Sequence, residues 1–147
     1  MKQPVHLAAT TVLCLLLGAC AGSEPTGPDD NSNNTGGRQP IADPSFSQVI
    51  QGLFESRSCT ASNCHGSGQS AGLDLREGNS YASLVNVPAQ GEEDRIRVIP
   101  GNANDSYIVI KVEGRQSVGS RMPVGGALDA VDITNIRNWI NQGAKNN

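Results

Sequence analysis

The chain has 147 residues, a formal net charge of −3 and 17% charged residues. This length suggests one domain plus processing segments, and the mildly acidic charge excludes a nucleic-acid-binding protein, which would need a basic surface. The aromatic residues are one Trp, two Tyr and two Phe. A core of ordinary size normally contains more large side chains than this, and a bound apolar cofactor would supply the missing buried volume.

The N-terminal segment has the features of an export signal. Lys2 gives a positively charged start, and residues 7–17 are apolar but too few to cross a bilayer comfortably. The stretch ends in Leu-Gly-Ala-Cys at Cys20, which resembles the lipobox of bacterial lipoproteins. We therefore expect residues 1–19 to be a lipoprotein signal peptide and Cys20 to carry a lipid, although a simple secretory signal is an alternative.

This export signal predicts a membrane-anchored protein that faces the periplasm or the cell surface. Ala21 carries no Asp-type retention signal, which favours the outer membrane of a Gram-negative host. Residues 20–42 are rich in Gly, Pro, Ser, Asn and Asp and have almost no apolar side chain. Such a segment predicts a flexible tether between the lipid anchor and the folded domain, residues 43–147.

The domain begins with a predicted helix that runs to about Ser58. Asp43 is a suitable N-cap, and Pro44 suits the first helical turn. Apolar side chains then recur at helical spacing on one face: Phe46, Val49, Ile50, Leu53 and Phe54. This helix would deliver Cys59 at its C-terminal end.

Cys59, Cys64 and His65 form a sequence that fits covalent haem attachment. Two thiols can bond the two vinyl groups of haem, and an imidazole directly after the second thiol lies under the iron. The usual spacer between the cysteines has two residues, and this one has four. A Cys59–Cys64 disulfide is the main alternative in an oxidising compartment, and a zinc site lacks a convincing fourth ligand.

The middle of the domain predicts two weaker helices, at about 80–85 and 105–112. The second contains a β-branched run, so a strand is an alternative there. The acidic residues 92–94 between them predict a solvated loop.

The C-terminal segment predicts a helix that mirrors the first one. Asp129 or Asp132 is the candidate N-cap, and Gly143 fits the end of the helix. Four apolar side chains form its buried stripe: Ile133, Ile136, Trp139 and Ile140. We expect this stripe and that of the first helix to pack together, because they are the two best apolar faces in the domain.

Met122 is the candidate second ligand of the iron. Once the leader takes Met1 and His6 with it, His65 and Met122 are the one histidine and the one methionine left. Met122 precedes Pro123 in a glycine-rich stretch, which predicts an extended loop that can offer a thioether. A methionine that packs in the core or lies on the surface is the alternative.

The ordered series of motifs resembles the planctomycete-type cytochrome c domain family. The series is a helix, Cys59 to Gly66, Gly72-Leu73-Asp74-Leu75-Arg76, Arg97-Val98-Ile99-Pro100-Gly101, Ser106-Tyr107-Ile108-Val109, Arg121-Met122-Pro123 and Trp139-Ile140-Asn141-Gln142-Gly143-Ala144. The resemblance covers about residues 43–145. It implies an all-α, small cytochrome c-like fold in which the N- and C-terminal helices cross and loops wrap one haem. It also implies haem c, thioether bonds from Cys59 and Cys64, proximal His65 and distal Met122.

These expectations together predict a one-electron carrier. A haem iron with both axial positions filled offers no open site for a substrate, so we expect no enzyme activity, no small-molecule substrate and a redox protein as partner. Four side chains are expected to form an apolar wall of the site: Phe46, Leu53, Trp139 and Ile140. One alternative is a haem-free exported binding or structural domain with a Cys59–Cys64 disulfide. Another is a module that feeds electrons to a larger oxidoreductase.

Overall fold

The computed structural model describes residues 37–147. The predicted signal peptide, Cys20 and the first part of the predicted tether lie outside the described residues. The elements follow in the order π-helical turn Phe46–Ile50, α1 Gln51–Ser56, α2 Ser80–Leu84, β1 Pro88–Ala89, β2 Glu92–Ile96, α3 Tyr107–Glu113 and α4 Ala130–Asn141. Within 37–147, every helix is too short or too polar to cross a bilayer.

The prediction of an all-α domain is wrong, because β1 and β2 pair as an antiparallel two-stranded sheet. Helices account for only 34% of the structure. The turn of the hairpin contains Gly91, whose φ of +86° suits glycine. The acidic residues 92–94 lie in β2 and not in a loop. Glu92 is partly buried and the next two residues are exposed. Because three acidic residues follow one another, this strand lacks the alternation of apolar and polar residues that normally identifies one.

The first helical segment differs from the prediction at its start. Ser45, and not Asp43, is the residue that precedes the helical turns, and its side chain makes no capping hydrogen bond. The first turns are π-helical, with Ile50 N–H donating to the Ser45 carbonyl at 3.2 Å. The segment then continues as α1, which ends close to the predicted Ser58.

The helices α3 and α4 confirm the helices that the sequence predicted at about 105–112 and in the C-terminal segment. Residues 107–113 form α3 and not a strand. Asp129 caps α4, since its carboxylate accepts from the Asp132 N–H at 2.9 Å. Asn141 is the last residue of the helix, and Gly143 stops it with a φ of +97°, while the Ala144 N–H reaches back to the Trp139 carbonyl at 2.9 Å.

An aromatic cluster joins the first and last helical segments. The rings of Phe46 and Trp139 lie 5.1 Å apart between centroids, and Tyr81 packs edge-on against Phe46 at 5.2 Å. Trp139 donates its indole N–H to the Lys145 carbonyl at 2.9 Å, so the polar atom of this buried ring is satisfied. The cluster fixes the C-terminal tail and α4 against the start of the domain.

The described end of the predicted tether lies along α4. Ile41 donates its N–H to the Asn135 side chain at 2.7 Å, and its carbonyl accepts from Asn138 at 2.8 Å. Arg38 forms an ion pair with Asp132, whose side chain is buried. The same carboxylate accepts a hydrogen bond from Arg57 Nε at 2.6 Å. Residues 38–42 are therefore hydrogen-bonded to the domain.

Asp74 is a buried carboxylate that organises the segment after His65. Arg76 donates to it from the backbone N–H, from Nε at 3.0 Å and from Nη2 at 2.7 Å, and Asn79 and Gln69 donate as well. These donors, Arg76 above all, hold the pKa of Asp74 far below its usual range.

The lowered pKa of Asp74 predicts acid sensitivity of the fold. A carboxylate with a depressed folded-state pKa stabilises the fold above its unfolded pKa, near pH 4, and loses that contribution as the pH falls. We expect Asp74→Asn to lower the free energy of unfolding at pH 7 and to show a smaller further loss than wild type between pH 5 and pH 2. Urea unfolding at several pH values measures both. Asp94→Asn removes the same charge at an exposed site and is the control. If the free energy of unfolding changed with pH in the same way in wild type and in Asp74→Asn, the prediction would be contradicted.

Candidate functional site

The segment from Cys59 to His65 forms a compact turn after α1. Cys59 N–H donates to the Phe54 carbonyl at 2.8 Å, and His65 N–H returns to the Cys59 carbonyl at 3.0 Å. Inside this turn, Cys64 N–H donates to the Ala61 carbonyl at 2.9 Å. The four-residue spacer is thus folded on itself, and both cysteines and His65 line the same cavity.

Gly66 makes this compact turn possible. A Cβ at this buried position would lie 2.1 Å from the Thr60 carbonyl oxygen and 2.8 Å from that of Ala61. These are backbone atoms, which cannot shift to make room for a Cβ as the end of a flexible side chain could. The spacer therefore requires glycine directly after His65.

Replacement of Gly66 by alanine tests this close approach. We expect Gly66→Ala to lower the free energy of unfolding by about 1–3 kcal/mol, the usual cost of overpacking, and to disturb the Cys64–His65 geometry. Urea unfolding measures the first effect. Gly52→Ala in α1 is the matched control, because a Cβ there meets no atom within 4 Å. It should be neutral or stabilising by up to about 1 kcal/mol. Equal loss in both variants would contradict the role of Gly66.

The imidazole of His65 is held by a backbone carbonyl. Its Nδ1 lies 3.0 Å from the Ser70 carbonyl oxygen. A carbonyl only accepts, so Nδ1 carries the hydrogen and the lone pair of the neutral ring is on Nε2. Burial lowers the pKa of His65, an effect that the hydrogen bond to Ser70 opposes. The ring is therefore neutral at neutral pH, with one nitrogen left to bind a metal.

Cys59 and Cys64 are free thiols in the structure. The nearest hydrogen-bond acceptor of Cys59 Sγ is the Arg57 carbonyl at 3.9 Å, and that of Cys64 Sγ is the Asn63 side chain at 3.7 Å. Burial raises the pKa of the Cys59 thiol, which keeps it protonated at neutral pH. Both sulfurs are thus available at the cavity and not joined to each other.

Met122 lines the same cavity although it lies 57 positions after His65 in the chain. Its backbone N–H donates to the Lys111 carbonyl, near the end of α3, at 2.9 Å. Its side chain is partly buried against the core. The fold thus brings together all four residues that the sequence predicts for the haem site: Cys59, Cys64, His65 and Met122.

The cavity has a volume of about 620 Å³, within the range of roughly 300–1,000 Å³ that is typical of small-molecule sites. Most of its wall is apolar and comes from several elements, including Leu53, Phe54, Leu75, Ile108, Leu128 and Ile136. Of the predicted apolar wall, only Leu53 lines the cavity. Phe46 and Trp139 belong to the aromatic cluster instead, and Ile140 is buried in the core.

Arg97 and Lys111 are cationic residues of the cavity wall that the sequence interpretation missed. Arg97 follows β2 directly and is only 8% exposed. No carboxylate among residues 37–147 forms an ion pair with it, and burial lowers its pKa. Its guanidinium donates to the backbone carbonyls of Ala71 and Ser83, so it is hydrogen-bonded but its positive charge is not neutralised by a carboxylate. A ligand that brings negative charge would suit this part of the wall.

These residues fit a haem. The apolar wall suits the porphyrin, the free Nε2 of His65 and the thioether of Met122 suit the iron, and the thiols suit the vinyl groups. The two cations suit the carboxylates that haem carries. Among the described residues, no group of three or more His, Cys, Asp and Glu side chains could hold a bare metal ion.

Comparisons of the chain with protein-family models, with characterised proteins and with solved structures find no match. The case for the site therefore depends on its residues and geometry.

Proposed function

We propose that this domain is a c-type cytochrome domain of the planctomycete-type family, and that it carries electrons through one haem c. Cys59 and Cys64 would hold the haem by thioether bonds, and His65 and Met122 would supply the two side-chain ligands of its iron. The observation that supports the proposal most strongly is that these four residues line one mainly apolar cavity, with His65 Nδ1 bound to a carbonyl and Nε2 free.

A haem in this cavity would supply the one-electron chemistry of its iron. The protein determines how easily that electron is taken up. Met122 offers a thioether, which favours ferrous iron and raises the reduction potential. The apolar side chains exclude water and disfavour extra charge at the iron, and Arg97 and Lys111 balance the haem carboxylates.

Electron transfer fits the site better than catalysis does. With His65 and Met122 as ligands, no coordination position is left for a substrate. The partner in this proposal is a redox protein that exchanges electrons at the haem edge. We also propose that the mature chain is exported and held at a membrane through lipidated Cys20, with the domain facing the periplasm or the cell surface.

An anaerobic redox titration of the exported protein tests the function. The proposal predicts an absorption change that follows a one-electron Nernst curve and reverses completely on reoxidation. Addition of carbon monoxide to the reduced wild-type protein should change nothing, because both axial positions are filled. A protein with no redox-active absorption, or one that turns over a substrate at the iron, would refute the proposal.

A further inference from the structure

We propose that Arg97 is a positioning residue for His65, and that it acts through the Ser70 loop, defined as residues 69–72. The Ser70 carbonyl of this loop accepts the Nδ1–H of His65. The inference rests on the proposed function, since it concerns the nitrogen that the haem iron would use. It adds a residue that touches neither that nitrogen nor the iron.

The Ser70 loop has a strained backbone. Gln69 has a φ of +44° and Ala71 a φ of +54°, so non-glycine residues in the left-handed region flank Ser70 on both sides. Each such residue is unfavourable and persists only where its surroundings hold it. The direction of the Ser70 carbonyl therefore depends on the contacts that hold this loop.

Arg97 connects the loop to α2 through its guanidinium. Its Nη2 donates to the Ala71 carbonyl at 2.9 Å, and its Nη1 donates to the Ser83 carbonyl of α2 at 2.8 Å. The planar guanidinium thus joins the loop to α2 with a fixed geometry, which a lysine ammonium cannot reproduce. Gln69 Nε2 also donates to Asp74 at 3.2 Å, and two backbone hydrogen bonds hold the loop as well: Ser70 N–H donates to the Cys64 carbonyl at 3.0 Å and Gly72 N–H to the Gln69 carbonyl at 2.7 Å.

The consequence for His65 is a choice between its two nitrogens. While the Ser70 carbonyl points at Nδ1, the hydrogen stays there and Nε2 keeps its lone pair. When the loop relaxes, the carbonyl turns away and the hydrogen can move to Nε2, which then cannot bind a metal. Arg97 therefore contributes to which nitrogen of His65 is available as a ligand, together with the backbone of Leu73, which also interacts with the ring.

Nitrogen-15 NMR of histidine-labelled, haem-free full chain tests this directly, at a pH where His65 is neutral. His6→Gln assigns the second histidine signal. We expect wild type to hold the Nδ1–H tautomer of His65. Arg97→Gln should lower the ratio of Nδ1–H to Nε2–H by about fivefold to tenfold, which is what the net free energy of one hydrogen bond supports. Arg97→Lys should show partial rescue.

Arg137→Gln is the matched control. Arg137 is also a partly buried arginine with hydrogen bonds, but it bonds Glu113 at 2.8 Å and does not reach the Ser70 loop. It should lose stability and keep the wild-type tautomer of His65. An unchanged tautomer in Arg97→Gln would overturn the inference. Unfolding of both Arg97 variants would overturn it as well, because Arg97 would then be required for the fold as a whole.

The haem-loaded protein separates this inference from the proposed function. If the expected tautomer shift is found but the exported wild-type protein never acquires haem, the proposed function is refuted and the role of Arg97 is kept. If the wild-type protein loads haem normally but haem-free Arg97→Gln keeps the wild-type tautomer of His65, the proposed function is kept and the role of Arg97 is refuted.

Discussion

Replacement of His65 by alanine is expected to lower the yield of covalent haem protein by at least about 10–100-fold, the loss that changes in the second coordination shell alone can produce. The reason is the geometry of the turn. His65 follows Cys64 directly, its Nδ1 is held by the Ser70 carbonyl, and the lone pair on its Nε2 is the one that would bind the iron of the proposed haem. Without it, the haem loses the ligand next to its attachment points.

Haem-dependent peroxidase staining of denatured protein, at equal polypeptide load, measures this yield. Ser62→Ala is the control, since Ser62 is an exposed residue of the same spacer and its side chain has no part in the proposed site. Far-UV circular dichroism of His65→Ala separates a lost ligand from a lost fold. A normal haem yield in His65→Ala would remove His65 from the site.

Replacement of Met122 by alanine is expected to leave the covalent haem in place and to open one axial position. The thioether is lost, whereas the hydrogen bond from the Met122 backbone to Lys111 is independent of the side chain. The reduced variant should therefore bind carbon monoxide. Its reduction potential should fall by part of the roughly 0.8 V range that axial ligands span, because methionine favours ferrous iron.

Ser120→Ala is the control for Met122→Ala. Ser120 lies two positions before Met122, is exposed and does not line the cavity, so its truncation should change neither carbon monoxide binding nor the potential by a comparable amount. A Met122→Ala protein with the wild-type potential and no carbon monoxide binding would show that Met122 is a packing residue. The haem would then take another second ligand.

The sequence predicted the elements that carry strong local patterns. The stripe of Ile133, Ile136, Trp139 and Ile140 and the cap at Asp129 located α4 correctly, because helical spacing and capping are properties of neighbouring residues. The cavity also brings Met122 to Cys59, Cys64 and His65, as the motif interpretation required.

The parts that the sequence did not predict depend on tertiary contacts. β1 has two residues and begins with Pro88, and β2 is mostly charged and exposed, so the hairpin has no alternating pattern. Helical spacing correctly predicted that the faces carrying Phe46 and Trp139 pack together, but it placed both rings in the wall of the haem site instead of in the aromatic cluster. The role of Arg97 depends on carbonyls 14 and 26 residues away in the chain.

The mass of the tryptic peptide that spans residues 58–76, taken from protein exported by a host able to mature c-type cytochromes, tests the central claim most directly. Thioether formation adds each S–H across a vinyl group, so this peptide should have the mass of the polypeptide plus one whole haem. A peptide at the plain polypeptide mass, or lighter by two hydrogens as a Cys59–Cys64 disulfide would make it, would contradict the account.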